Sequence, residues 1–252
     1  MPSSNIMETQ TIITAFSAFF IASFLKGLTG LGFATLCLGF LALFMDLKQA
    51  IPLVFLPSLS SNLMVMVDAG RFVEAFKRFW ILYLGALPGL GFGMVFLAQS
   101  RNEIPKGILG AVIFLYGLWG LKGGRFRLSE TRERQLLLPI GLASGLVNGA
   151  TGSQIMPLMP YLLSLNMDRD LFIQTINCSF TINTVFLMAG LGTLGILTAP
   201  IMVLSIGGIL PVAVGLYLGG RIRRKTTEEV YRKMVLALLI GIGGSLVARL
   251  FL

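Results

Sequence analysis

Ten apolar stretches follow one another along the chain with only short polar breaks between them. They cover about 9–25, 31–45, 49–66, 79–98 and 104–121, then about 136–147, 155–165, 171–189, 199–219 and 230–248. Of the 252 residues 55% are hydrophobic and only 12% are charged, too little charge to cover a soluble surface of this size. Soluble enzymes, nucleic-acid readers and secreted disulfide scaffolds are disfavoured together. The expectation is a single transmembrane domain over 1–252, embedded in a lipid bilayer. The net charge of +9 then belongs to cytoplasmic loops, not to a nucleic-acid surface. Cys37 and Cys178 lie in apolar stretches outside any CxxC and read as small core residues. The N-terminal MPSSNIMETQ carries no basic n-region, so the first apolar stretch is expected to remain in the mature protein.

A basic connector, Lys122 to Gln135, divides the stretches five and five, which raises the question of a repeat. Sliding the chain by 122 positions lays KGLTG (Lys26 to Gly30) on NGATG (Asn148 to Gly152). Without a gap, Leu36, Leu41, Leu43, Met45 and Asp46 then fall on Leu158, Leu163, Leu165, Met167 and Asp168. Further on, Gly70, Gly85, Gly93 and Arg101 meet Gly192, Gly207, Gly215 and Arg223. The expected organisation is repeat 1 over about 9–121 and repeat 2 over about 136–252, joined by the connector 122–135.

Length separates full spans from partial ones. A helix rises about 1.5 Å per residue against a hydrocarbon core about 30 Å thick. The third to fifth stretches of each half can cross, whereas Ile155 to Leu165 reaches only about 17 Å and Leu136 to Val147 is about as short. Two short arms meeting at a Gly/Thr/Asn apex predict a re-entrant hairpin; in the first half, Thr9 to Leu25 is nearly long enough to cross. Either way each half crosses an odd number of times, so the second half is inverted. The predicted class is an all-α polytopic membrane protein of 8–10 hydrophobic helices in two inverted-topology repeats. Each repeat is a Gly-interrupted short helical hairpin plus three spanning helices. With Lys26 set apart and the N-terminus outside, fifteen Lys and Arg fall on inner loops and four on outer ones. Both termini are therefore expected outside and the connector in the cytoplasm.

Matching interrupted helices in inverted repeats point to a transporter's substrate site. Here the pair is KGLTGLG (26–32) and NGATGSQ (148–154). A helix restarting after such a break aims its amides and positive dipole end at the apex, which favours an anion. Thr29 and Thr151 read as N-caps. Gly27, Gly30, Gly149 and Gly152 let amides approach an oxyanion, and Lys26 supplies a charge with Asn148 as its neutral counterpart. Ser153 and Gln154 add donors. Two other readings stand beside these: Lys26 snorkelling at a membrane surface, and the glycines serving helix packing alone. A second polar set lies on the third stretches: Ser58, Ser60, Ser61 and Asn62, then Gln174, Thr175, Asn177, Ser179, Thr181 and Asn183. Asn177 and Asn183 are the candidates there for lining the path.

The chain contains no histidine, which removes HExxH zinc sites, His triads and His relays, and it has no GxxxxGK[ST] loop. No enzyme activity, cofactor or metal is expected. In its two related halves, each opening with a Gly-rich break (KGLTGLG and NGATGSQ), the whole chain resembles the TauE/SafE sulfite exporter family. The resemblance implies export or import of a small sulfur-containing or organic anion across the bacterial plasma membrane: sulfite, thiosulfate, sulfoacetate or a sulfonate. The expected partners are that anion and the bilayer, with a homodimer possible and no nucleic acid. An anion channel and a membrane-embedded scaffold or accessory subunit are the competing readings.

Overall fold

The computed structural model describes residues 3–29, 32–123, 127–223 and 228–250, and among them the chain forms helices and no strand. The first half holds α1 (Ser3–Thr29), α2 (Phe33–Leu41), α3 (Leu47–Ala69), α4 (Phe72–Gln99) and α5 (Glu103–Leu121). The second holds α6 (Glu130–Thr151), α7 (Leu158–Leu163), α8 (Arg169–Thr193), α9 (Ala199–Gly207), α10 (Ile209–Arg223) and α11 (Glu228–Ala248). Only Gly208 separates α9 from α10, and both answer to one apolar stretch, so these helices correspond to the ten stretches of the sequence. Among the described residues six segments are long and apolar enough to cross a membrane: Thr11–Thr29, Leu47–Ala69, Phe72–Gln99, Glu103–Leu121, Arg169–Thr193 and Ala199–Ile222. Side chains such as Phe92, Val203, Leu210 and Leu115 stand exposed on the outside of the bundle, as a lipid-facing surface requires. The chain is an all-α polytopic membrane protein.

The second half opens with a helical hairpin whose arms are unequal. The stretch 136–147, expected as a short arm, is the middle of α6, which has 22 residues and rises about 33 Å. Its first turn carries Glu130 and Glu133, which an apolarity window leaves out. The other arm, α7, has six residues and rises only about 9 Å. The missing length comes from 152–157, which contains no helix and can extend up to about 3.3 Å per residue. Both ends of the hairpin lie at one level: Leu128 N–H donates to Ser164 O (3.0 Å) and Tyr161 Oη to Glu133 O (2.9 Å).

The two halves hold each other through exchanged partners. α4 packs along α6 and α1 along α10, while α5 pairs with α11 and α3 with α8. The α4–α6 seam is built from glycines four apart: Gly85, Gly89 and Gly93 face Gly141, Gly145 and Gly149 with backbone against backbone. A Cβ at Gly89 would strike Leu142 O and Leu146 N; one at Gly215 would strike Phe20 O and Phe24 N. A Cβ at Gly149 meets Leu90 O and Met94 N, and one at Gly27 meets Leu216 O and Gly220 N. The two seams are therefore the same contact, with α1 matched to α6 at an offset of 122 and α4 to α10 at 126. This corrects the gapless pairing of Gly85 with Gly207 and Gly93 with Gly215, because the connection between α8 and α9 is longer than that between α3 and α4. α5 and α11 run antiparallel, with Gly110 against Gly243 and Gly117 against Leu236.

Polar side chains fasten the ends. At one end Arg71 binds both Glu74 and Asp168, and Arg78 holds Glu133 through two hydrogen bonds of 2.7 and 2.8 Å. The Leu171 amide, with Arg71 beside it, keeps the Asp168 carboxyl below the usual carboxylate range. At the other end Lys106 pairs with Asp46 (3.0 Å), and Lys48 donates to Ala98 O and Ser100 O.

Candidate functional site

The second break is buried where its hairpin meets α3 and α8, and Thr29 and Gly32, on either side of the first, are buried too. α6 ends at Gly152, whose φ of +75° and ψ of 0° put it in the left-handed region that glycine alone adopts without strain. A side chain there would also collide with Leu38 of α2 and Ile51 of α3. Thr151 does not begin a helix. Its hydroxyl donates back to Val147 O (2.6 Å) and accepts from Ser153 N (3.2 Å), closing the end of α6. Thr29 makes the matching bond to Leu25 O (2.7 Å) at the end of α1. The N-cap role expected for both threonines is thus corrected: each helix runs through its Thr, and the restarting helix comes later. Gly27 and Gly149 also lie inside helices, in the seams with α10 and α4, so the amides that follow them belong to the helical ladders. Gly30 falls outside the described residues.

Lys26 and Glu133 are the buried charged side chains among the described residues, and Glu133 is paired with Arg78. Lys26, only 5% exposed, has no ion pair among the described residues. Its Nζ donates to Ser61 Oγ (3.0 Å) and Asn62 Oδ1 (2.9 Å) on α3. Those acceptors stand 14 and 15 residues into α3, about 21–23 Å from Leu47 and about 11 Å from Ala69. Lys26 therefore sits well inside the bundle. Ser61 passes its own hydrogen to Ser58 O (2.9 Å), one turn back.

Ser58 opens the second part of the site. With Asn148, Gly152, Thr184, Ala34 and Met188 it lines a small cleft of about 20 Å³ between the second break and α3 and α8. Asn148 is 1% exposed and its Nδ2 has no hydrogen-bond partner. Asn62 Nδ2 and Asn183 Oδ1 are buried and unpartnered as well. Leaving each such group unpaired costs about 1–3 kcal/mol, so three beside two helix breaks mark a place kept polar against stability. Thr35 of α2 joins the hairpins through a 2.9 Å bond to Ser153, and Ser179 of α8 reaches Gln154 at 3.4 Å. Asn177 donates to Ile173 O and Asn183 to Ser179 O, each within α8.

The fold thus sets Lys26 against Ser61 and Asn62 of α3, brings Asn148 and Gly152 into a cleft with Ser58 and Thr184, and ties Ser153 to Thr35 and Gln154 to Ser179, while Asn177 and Asn183 donate within α8. Sequence reasoning had set Ser58, Ser61 and Asn62 in a background group; α3 makes them the direct partners of Lys26 and of the cleft. Thr35 was missed, for a lone Thr in an apolar stretch gives no signal. Donors dominate the region, and no cluster of three His, Cys, Asp or Glu side chains able to hold a metal occurs among the described residues. Comparison with curated proteins and with solved structures finds no match. The profile of the family described as "Sulfite exporter TauE/SafE" matches residues 15–246, so both hairpins, both seams and Lys26 fall within it. The chain belongs to the TauE/SafE sulfite exporter family of membrane transporters.

Proposed function

We propose that the protein is a secondary transporter of a small oxyanion of the sulfite, thiosulfate, sulfoacetate or sulfonate class. The anion is bound along the turn of α3 between Ser58 and Ser61. The observation that carries this is Lys26: a cation at that depth costs roughly 3 kcal/mol or more unless it is compensated, and among the described residues its acceptors are the neutral Ser61 Oγ and Asn62 Oδ1. An oxyanion supplies the missing charge and accepts from Asn62 Nδ2 and Asn148 Nδ2, two of the buried donors without a partner. Ser153, Gln154, Thr151 and Asn183 complete the wall. Gly27 and Gly149 act through the seams, by letting α10 and α4 approach the hairpins. Family membership and the exchanged packing of the halves support this reading. The antiparallel pairing of α5 with α11 further supports two inverted repeats about an axis in the membrane plane.

The basic end formed by Arg71, Arg78, Lys122 and Arg232 is assigned to the cytoplasm of a bacterial plasma membrane, with both termini outside. The test is exchange in proteoliposomes of the full chain, offered sulfite, thiosulfate, sulfoacetate and simple carboxylates. Saturable counterflow of a sulfur oxyanion, weakened in Lys26→Gln, is the expected result. Flux without counterflow makes the protein a channel, and no flux or ligand-dependent stabilisation makes it a scaffold.

A further inference from the structure

Lys26 is held by acceptors whose number matches its neutral form. Nζ meets Ser61 Oγ and Asn62 Oδ1. Ser61 spends its hydrogen on Ser58 O, so toward Lys26 it can only accept. A neutral amine has two N–H groups and one lone pair, whereas an ammonium has three N–H groups and a full charge. Two acceptors satisfy both N–H groups of the amine and leave its lone pair free to take a proton. The ammonium keeps one donor and its charge uncompensated, and the group placed to answer both is a bound anion. Beside it the orphan Asn62 Nδ2 is a donor that an anion satisfies too.

We propose that Lys26 couples transport to protons: it takes up one proton when an anion binds and gives it up when the anion leaves. This rests on the anion site proposed above. On the loading side the amine lone pair takes a proton from water and the ammonium pairs with the anion. On the other side the anion departs and the proton returns to water. No covalent bond to the substrate is made and nothing is oxidised. The physical reason is that both forms that must rearrange inside the bilayer, the loaded ion pair and the empty amine, then carry no net charge for a monovalent anion.

Among the described side chains no other titratable group is placed to compensate Lys26. Of the helices packed against α1, α2 carries only Cys37, which is buried, and α3 carries Lys48, bound to Ala98 O and Ser100 O, and exposed Asp68. α10 carries Tyr217 and Arg221, exposed and stacked on each other, and Arg223 at its end. α11 carries Glu228, Glu229, Tyr231, Arg232 and Lys233 in its first two turns. α8, which meets the first break through Phe180, carries Arg169 and Asp170, both exposed, and Cys178.

The experiment uses proteoliposomes of the full chain and methanesulfonate, a strong-acid anion whose own charge does not change between pH 5 and 9. Counterflow at equal pH reports binding and exchange; net uptake with an internal pH dye, at clamped potential, reports coupling. The wild type is expected to acidify the lumen by about one proton per anion and to follow a pH gradient, with no response to membrane potential. Thiosulfate, carrying two charges, should show the same proton ratio but move current. Lys26→Arg keeps its proton, and Asn62→Asp gives Lys26 a fixed carboxylate; in both the proton ratio should fall toward zero. Thermal unfolding in detergent shows that each variant is folded. Wild-type counterflow with net uptake that ignores pH and follows potential overturns the coupling while leaving the anion site standing. Unchanged proton ratios in both folded variants overturn the role of Lys26. Absence of counterflow for every anion tested overturns the transport reading itself and this proposal with it.

Discussion

Gly141→Ala adds one methyl group to the seam between α4 and α6. A Cβ at that position lies 2.5 Å from Leu82 O, 3.2 Å from Ala86 N and 3.2 Å from the carbonyl carbon of Gly85. All three are backbone atoms, so no side chain can swing aside. Ordinary contact begins near 3.4 Å, and the helices must therefore part locally by 3.4 − 2.5 = 0.9 Å. A gap of that size forfeits a quarter to a half of the dispersion energy of the contacts it opens. Overpacking of this kind costs about 1–3 kcal/mol, offset by up to about 1 kcal/mol of helix propensity that Ala gains over Gly. The net expectation is a loss of about 1–2 kcal/mol. Gly91→Ala and Gly241→Ala are the controls, since a Cβ at either meets nothing within 4 Å; they gain the propensity without the clash. Unfolding midpoints of the three variants in the same detergent decide the matter. If Gly141→Ala is as stable as Gly91→Ala, the seam tolerates expansion and the close backbone contact is not what holds the halves together.

Asn148→Leu replaces an orphan donor by an apolar side chain of similar length beside a cleft, so the folded protein should be stabilised by about 1 kcal/mol. Anion exchange should be lost; a destabilised variant that still exchanges anions refutes the assignment of Asn148. Glu133→Gln leaves Arg78 half-buried without its carboxylate and should lower the unfolding midpoint by about 1–2 kcal/mol after allowance for solvent screening. Exchange per folded molecule should be unchanged, because the pair fastens the hairpin end, far along α6 from Asn148. A cysteine placed at Ser129 should resist impermeant thiol reagents in intact cells, and ready labelling there reverses the membrane orientation.

The fold was legible where it depends on length and apolarity. All ten stretches are helical units, and the break at Gly152 stands where NGATGSQ placed it, since a glycine after a helical Thr is a local signal. The extent of α6 was hidden because its first turn is charged and pairs with α4 through Arg78–Glu133, a tertiary fact. The direction of the Thr caps was misread because Thr before Gly suits either end of a helix; what decides is whether the ladder reaches the Thr from behind. The glycine seam was in plain view as Gly85, Gly89, Gly93 and Gly141, Gly145, Gly149, but a gapless comparison favoured pairs that the longer α8–α9 connection displaces. The partners of Lys26 lie 35 and 36 residues away, and no local pattern reports a contact at that separation.

The two halves differ at the positions proposed to hold the anion. At the offset of 122, Lys26, Ser61 and Asn62 correspond to Asn148, Asn183 and Thr184. One apex thus carries a charge with two acceptors, and the other carries an orphan donor with an orphan acceptor, Asn183 Oδ1, on the facing helix. Two ammoniums, one at each apex, would repel each other in a medium of low dielectric. A single charge is enough for a monovalent anion. If the halves are equivalent in more than packing, the charge should be transferable. The double variant Lys26→Asn with Asn148→Lys moves the ammonium to the second apex, beside the cleft that Thr184 borders, with Asn183 the counterpart of Ser61 at the offset of 122. Lys26→Asn alone should abolish counterflow, and Asn148→Lys alone should weaken it through repulsion. The double variant should recover a measurable fraction of wild-type counterflow, with a shifted apparent affinity. Recovery no better than Lys26→Asn, in a protein shown to be folded, means that the two apices are alike in backbone only and that the anion answers to the first.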